Sequence, residues 1–250
     1  MPRPPASPPS PAVGRFLEIS VHAPAIRESL AFYEALGFVQ ASVGEAWPHP
    51  YAVVTDGRAC IGLHAAPLPL PALTFVLPDL ARGLERLRNL RIDIEQESIG
   101  NEVFNQAWFR EPSGHRVAVW EARTYSPLQL DAPHTGSCGY FSEYGIPTRD
   151  VRAACEFWES LGFVALEAQA EPFPHTSLTS DLLNLGLYRS RALRQPVLTF
   201  EDVDMRERIS SLRARGFTLS DAMPDSLDEH CNGVLEAPEG TRLLLLQAAP

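Results

Sequence analysis

The chain opens, after a proline-dense stretch, on the alternating run Phe16-Leu17-Glu18-Ile19-Ser20-Val21, which predicts a strand over 16–21. The period then lengthens. Ile26, Leu30, Tyr33 and Leu36 fall on one helical face, and Gly37 supplies the stop. Three short strands are expected near 38–43, 51–55 and 60–65. A second unit repeats the order. ALTFVL (72–77) is a strand, Asp79 can cap a helix carrying Leu80, Leu84 and Leu87, and strands follow near 92–97, 103–109 and 116–121.

The second half writes the same pattern again. ESLAFYEALGF (28–38) is echoed by AACEFWESLGF (153–163), and Glu18, Phe32 and Phe38 each recur 125 residues later as Glu143, Phe157 and Phe163. The same offset pairs LTF at 73–75 with LTF at 198–200. With slight shifts, WPH (47–49) matches FPH (173–175), and EPSGHRVAVW (111–120) matches APEGTRLLLL (237–246). So many landmarks in one order indicate a tandem duplication. Helices are expected at 150–161 and 204–215, stopped by Gly162 and Gly216. The expected layout is a Pro-rich arm over 1–14, a first domain over 15–123, a turn-rich linker over 124–138 and a second domain over 139–250. Strand–helix–three strands, four times over, makes the class α+β rather than a doubly wound sheet.

Composition narrows the partners. The formal net charge is −10, and all 21 cationic side chains are arginine. An acidic chain is a poor match for nucleic acid or an anionic membrane surface, so neither is expected as a partner. There is no apolar run of membrane-spanning length and no secretory leader pattern. Cys60, Cys138, Cys155 and Cys231 show no CxxC spacing, consistent with free thiols and a cytoplasmic location.

The strand FLEISVHAP, the helix SLAFYEALGF and the late REPSGHRVAVWE together resemble the vicinal oxygen chelate superfamily, which includes glyoxalase I, extradiol dioxygenases, fosfomycin-modifying enzymes and bleomycin-resistance proteins. The resemblance covers nearly everything after residue 14. It implies two tandem glyoxalase-like domains, each of two βαβββ units whose mostly antiparallel sheet curls around a cup. Pairing inside one chain would permit a monomer, with a homodimer also open. The superfamily's enzymes place metal ligands at set points on the first, fourth, fifth and eighth strands of a cup. Here those points carry Glu18, Gly62, Ala72 and Ala118 in the first half, and Glu143, Gly186, Val197 and Leu244 in the second. One carboxylate per cup does not make a tight metal site, so no cofactor is expected.

Strand alternation puts Glu18, Ser20 and His22 on one face, and Cys60, Gly62 and His64 on another that shares the cup. Two readings stay open: Glu18 and His64 with one rim group hold a divalent metal, or they form a hydrogen-bonded pair, with Arg116 as the other possible partner of Glu18. The second is favoured. Ala72 and Ala118 leave room where the second cup has Val197, Leu244 and Leu246, so the N-terminal cup is the expected pocket. Trp108 and Trp120 would line it, with Glu18, His64 and Arg116 as polar anchors and Glu143 as the matching group in the other half. The expected function is binding of a small aromatic or amphipathic organic molecule. The alternative is a glyoxalase- or dioxygenase-type enzyme with Glu18 as base or metal ligand. His49 and His175, in matching PH dipeptides, are expected to be turn or surface residues.

Overall fold

The computed structural model describes residues 12–43, 47, 49–66, 71–122, 136–171, 173–180 and 183–248. Most of the expected arm and linker lie outside them. The first half runs β1 (Arg15–His22), α1 (Ile26–Ala35), β2 (Val39–Ala41), β3 (Tyr51–Thr55), β4 (Cys60–His64), β5 (Ala72–Leu77), α2 (Leu80–Asn89), β6 (Ile94–Ser98), β7 (Gln106–Arg110) and β8 (Arg116–Glu121). The second runs β9 (Tyr140–Pro147), α3 (Val151–Ser160), β10 (Val164–Ala165), β11 (His175–Thr179), β12 (Leu185–Tyr188), β13 (Val197–Asp202), α4 (Met205–Ala214), β14 (Gly233–Glu236) and β15 (Arg242–Gln247).

Each half forms one mixed sheet. The orders are β2-β3-β4-β1-β5-β8-β7-β6 and β10-β11-β12-β9-β13-β15-β14. The two units of a half meet at an antiparallel pair, β1 with β5 and β9 with β13, while β4 and β8 join their units in parallel. The fold is therefore α+β with a two-domain arrangement. The last unit departs from the pattern. Where β6 would recur, the described residues keep only an isolated bridge, Ser220 to Val234. Pro224 and the surrounding aspartates suit a turn better than a ladder.

The recurrent Leu-Gly-Phe is a helix stop. Gly37 (φ 93°) donates to the Glu34 carbonyl and Phe38 to that of Tyr33; Gly162 (φ 102°) and Phe163 repeat this with Glu159 and Trp158. This is the Schellman arrangement, which needs a left-handed residue at the glycine. Its apolar clasp is a ring pair, Tyr33 with Phe38 at 5.3 Å and Trp158 with Phe163 at 5.1 Å. The preceding aromatics reach across the molecule. Phe32 meets Phe217 at 5.9 Å, and Phe157 meets Phe109 at 6.2 Å. A single large core drawn from both halves results, including Phe16, Ile19 and Leu63 with Tyr144, Trp158 and Phe200. The cup faces carry smaller clusters of their own. Among the described residues no helix is long and apolar enough to cross a membrane.

Candidate functional site

Both halves carry a bulge just before the first-strand glutamate. The β1–β5 register slips between Phe16 and Glu18, and the β9–β13 register slips at the matching place, so Glu18 faces Thr74 and Glu143 faces Thr199. A bulge re-aims the side chain beside it. Phe16 and Ile19 enter the shared core, whereas Leu17 packs into the apolar wall of the N-terminal cup.

Glu18 is 1% exposed, and its carboxylate lies over Gly62 of β4. A Cβ at Gly62 would come within 2.0 Å of Glu18 Oε1, and one at Gly186 within 1.9 Å of Glu143 Oε1. Gly62 on β4 and Gly186 on β12 are thus seats for the neighbouring carboxylate. Ser20 Oγ donates to Glu18 Oε1 at 2.7 Å, His64 Nε2 lies 2.9 Å from the same oxygen, and the Tyr51 hydroxyl donates to Oε2. Thr74 Oγ1 lies 2.7 Å from Ser20 Oγ and extends the network. Ser20 spends its proton on Glu18, so Thr74 donates to Ser20.

His49 Nε2 lies 3.1 Å from His64 Nδ1. His64 thus faces Glu18 through Nε2 and His49 through Nδ1, so the three side chains form one line from His49 through His64 to Glu18. Burial, and then the neighbouring His64, hold the His49 imidazole below its usual range. Burial and Glu18 push the Tyr51 phenol far up, keeping it a donor. The buried Glu18 carboxyl is therefore met by Ser20, His64 and Tyr51, the hydrogen-bond partners that burial of a polar group demands.

Aromatic rings close over this network. Trp47 lies 4.7 Å from both Phe104 and Trp120 and 5.4 Å from His64, and Tyr51 lies 4.6 Å from His64. Ala72, Val76, Trp108, Ala118 and Trp120 form the buried apolar wall. Two buried polar atoms on that side, Trp120 Nε1 and Gln106 Oε1, have no partner among the described residues, although Gln106 and Trp120 face each other in register. The structure thus brings together Glu18, His64, Trp108, Trp120, Ala72 and Ala118. Arg116 is half-buried at the start of β8 and does not pair with Glu18. Arg242, its counterpart, pairs with Glu236 at 3.2 Å.

The second cup is built differently. Glu143 accepts from Ser177 at 2.7 Å, and burial raises its carboxyl above the usual range. Phe173, Tyr188, Val197, Leu244 and Leu246 fill the apolar end of this cup. A cavity of about 590 Å³ remains at its polar end, lined by Glu143, His175, Ser177, Thr199 and Glu201 among others.

Sequence reasoning did not bring in Tyr51, Ser20, Thr74, Trp47 or His49 as members of the network. The matching PH dipeptides marked His49, and alternation placed Ser20 beside Glu18. The cross-strand register that sets Tyr51 opposite His64 has no signature in the letters.

No family model matches the chain, and no curated protein matches it by sequence. Solved structures do match in fold. A catechol 2,3-dioxygenase aligns over 94% of this chain and 87% of its own, with 16% identity and a TM-score of 0.57. Homoprotocatechuate 2,3-dioxygenase of Brevibacterium fuscum, in complex with 3,4-dihydroxyphenylacetate, aligns over 97% of this chain and 82% of its own (15% identity, TM-score 0.60). The 2,3-dioxygenase LapB of Pseudomonas sp. KL28 aligns over 92% and 90% (15% identity, TM-score 0.58).

These neighbours correct one expectation. Extradiol ring-cleaving dioxygenases are among the metal-dependent enzymes of the superfamily, so the expectation that no cofactor is involved is overturned. The donors among the described residues, however, do not fit a tight metal site. In the first cup Glu18 and His64 are turned onto each other, and no group of three His, Cys, Asp or Glu among the described residues converges on one point. A tight site needs three or four such donors. At these identities the likeness establishes architecture: the chain has the two-domain vicinal oxygen chelate fold of the extradiol dioxygenases.

Proposed function

We propose that the chain binds a small aromatic organic molecule in its N-terminal cup, with the Glu18 network as the polar anchor. The aromatic box over a buried hydrogen-bond chain carries this reading. Trp47, Trp120 and Tyr51 surround His64, with Phe104 packed on the two indoles, and flat rings with polarised edges favour flat aromatic guests. The unpartnered Trp120 N–H and Gln106 carbonyl offer a donor and an acceptor side by side, and buried groups of this kind are rarely left unmatched. A ligand hydroxyl donating to His49 Nδ1 would complete the chain into Glu18. Tryptophan fluorescence tests this with catechol as probe. Saturable quenching is expected, weakened about tenfold or more in Glu18→Gln, where one charge-assisted bond is lost. Quenching that does not saturate, or that persists unchanged in Trp120→Ala, would refute it.

The likeness to ring-cleaving dioxygenases favours a second reading, an enzyme acting on the same class of molecule. There the chain's own contribution is proton transfer. A proton received at His49 Nδ1 displaces the Nε2 proton to His64, whose Nε2 proton moves to Glu18. Oxygen uptake with catechol, together with the metal content of the purified protein, separates the readings. Binding with neither uptake nor stoichiometric metal leaves the binding protein; uptake abolished by Glu18→Gln supports the enzyme.

A further inference from the structure

The C-terminal cup has a chemistry of its own. Glu143, Glu171, Glu201 and Asp228 all line its cavity of about 590 Å³, and no arginine does. Asp228 has Arg206 at 3.5 Å, but neither Glu143 nor Glu201 has an ion-pair partner among the described residues. Carboxylates alone do not make a site. The second observation is Thr199, 3% exposed and on the cavity wall. Its counterpart Thr74 is satisfied by Ser20, but the second half has Gly145 at the position of Ser20. The Thr199 hydroxyl therefore makes no hydrogen bond to another described residue and is not sealed off, so it opens onto the cavity that its residue lines. Phe173 and His175 supply an aromatic edge to the same cavity, with the His175 Nδ1–H donated to the Phe173 carbonyl at 3.0 Å.

We infer that the C-terminal cup binds a small organic ammonium ion, its N–H groups donating to Glu143 and Thr199 and its carbon body resting against Phe173. The occupant must bring positive charge and surplus donors, because Glu143, Glu201 and the Thr199 hydroxyl have no cation among the described residues to match them. A bare divalent ion fits poorly. The cavity is far larger than one ion, and its carboxylates and imidazole do not converge on one point. A compact cation beside an aromatic ring gains further from the ring face. Burial already favours the protonated form of Glu143, so an arriving ammonium would restore its charge. This inference is independent of the aromatic reading of the other cup.

Calorimetric titration of the full chain with methylammonium and butylammonium tests it. The matched neutral butanol, butyrate and manganese(II) alone serve as comparison arms. Saturable one-to-one binding of an ammonium probe is expected, weakened about tenfold in Glu143→Gln and several-fold in Thr199→Val, and unchanged in Glu18→Gln. Glu201→Gln provides a second charge variant should Glu143→Gln fold poorly. The inference is overturned if neither probe binds at millimolar concentration, if butanol binds as well as butylammonium, if manganese(II) binds and displaces the probes, or if Glu18→Gln removes binding.

Discussion

Gly62 and Gly186 each lie under the carboxylate of the adjacent strand. A methyl group at Gly186 would stand 1.9 Å from Glu143 Oε1, so Gly186→Ala must expel the glutamate from its seat. Overpacking of this kind costs about 1–3 kcal/mol. Urea denaturation should show that loss in Gly186→Ala and a smaller one in the double variant Gly186→Ala/Glu143→Ala, because the second truncation removes the clash. Strictly additive losses would mean that the two do not touch. The 125-residue offset made both glutamates legible in the sequence, and a match shifted by one residue exposed both glycines. The carboxylate's rotation onto the glycine was not legible. It depends on a bulge and on cross-strand neighbours, Tyr51 in one half and Ser177 in the other, that no local pattern marks.

At the scale of elements, helices and central strands were readable because each combines a periodic apolar face with a stop. α2 shows this most fully. Leu80, Leu84 and Leu87 are buried, and Asp79 accepts from the Arg82 N–H at 2.9 Å. Asp150 caps α3 in the same way through Ala153 at 3.0 Å, whereas Asp204, at the head of α4, makes no side-chain cap bond. Asp79→Ala should therefore cost about 1 kcal/mol in thermal or urea unfolding, and Asp204→Ala only a few tenths. Equal losses at the two positions would place the stabilisation in the charge near the helix end rather than in the hydrogen bond. The strand absent from the last unit was not foreseen. The duplication argues for its presence, and only the turn chemistry of the segment around Pro224 argues against it.

Over the whole molecule the halves are tied by polar contacts as well as by the shared core. Tyr33 and Ser29 of α1 both donate to Glu239, at 2.7 Å each, so the turn before β15 is anchored to the first helix of the other half. The reciprocal turn, before β8, carries His115, whose Nε2 lies 3.1 Å from the Tyr144 hydroxyl of β9. Glu239→Ala would strand two donors at this junction and should cost about 2–4 kcal/mol, while unfolding stays a single transition because the core is continuous. Two resolved transitions would mean that the halves fold separately. The symmetric position also sets a pH dependence. Burial first, and then the Arg110 guanidinium, hold the His115 imidazole at about 4, below its ordinary 6.5. A group with a depressed folded pKa contributes stability that is present above the unfolded value and lost as pH falls towards the folded one. The loss therefore falls between pH 6.5 and about 4, because the unfolded chain takes up the proton first. Its ceiling is about 3 kcal/mol, from 1.36 kcal/mol per unit of pKa. Replacing His115 with threonine, the residue at its counterpart Thr241, removes the titrating group. Urea unfolding across that window should show the parent chain losing up to this much more stability than His115→Thr. Parallel pH profiles would show that the junction between the halves admits a protonated imidazole at no cost.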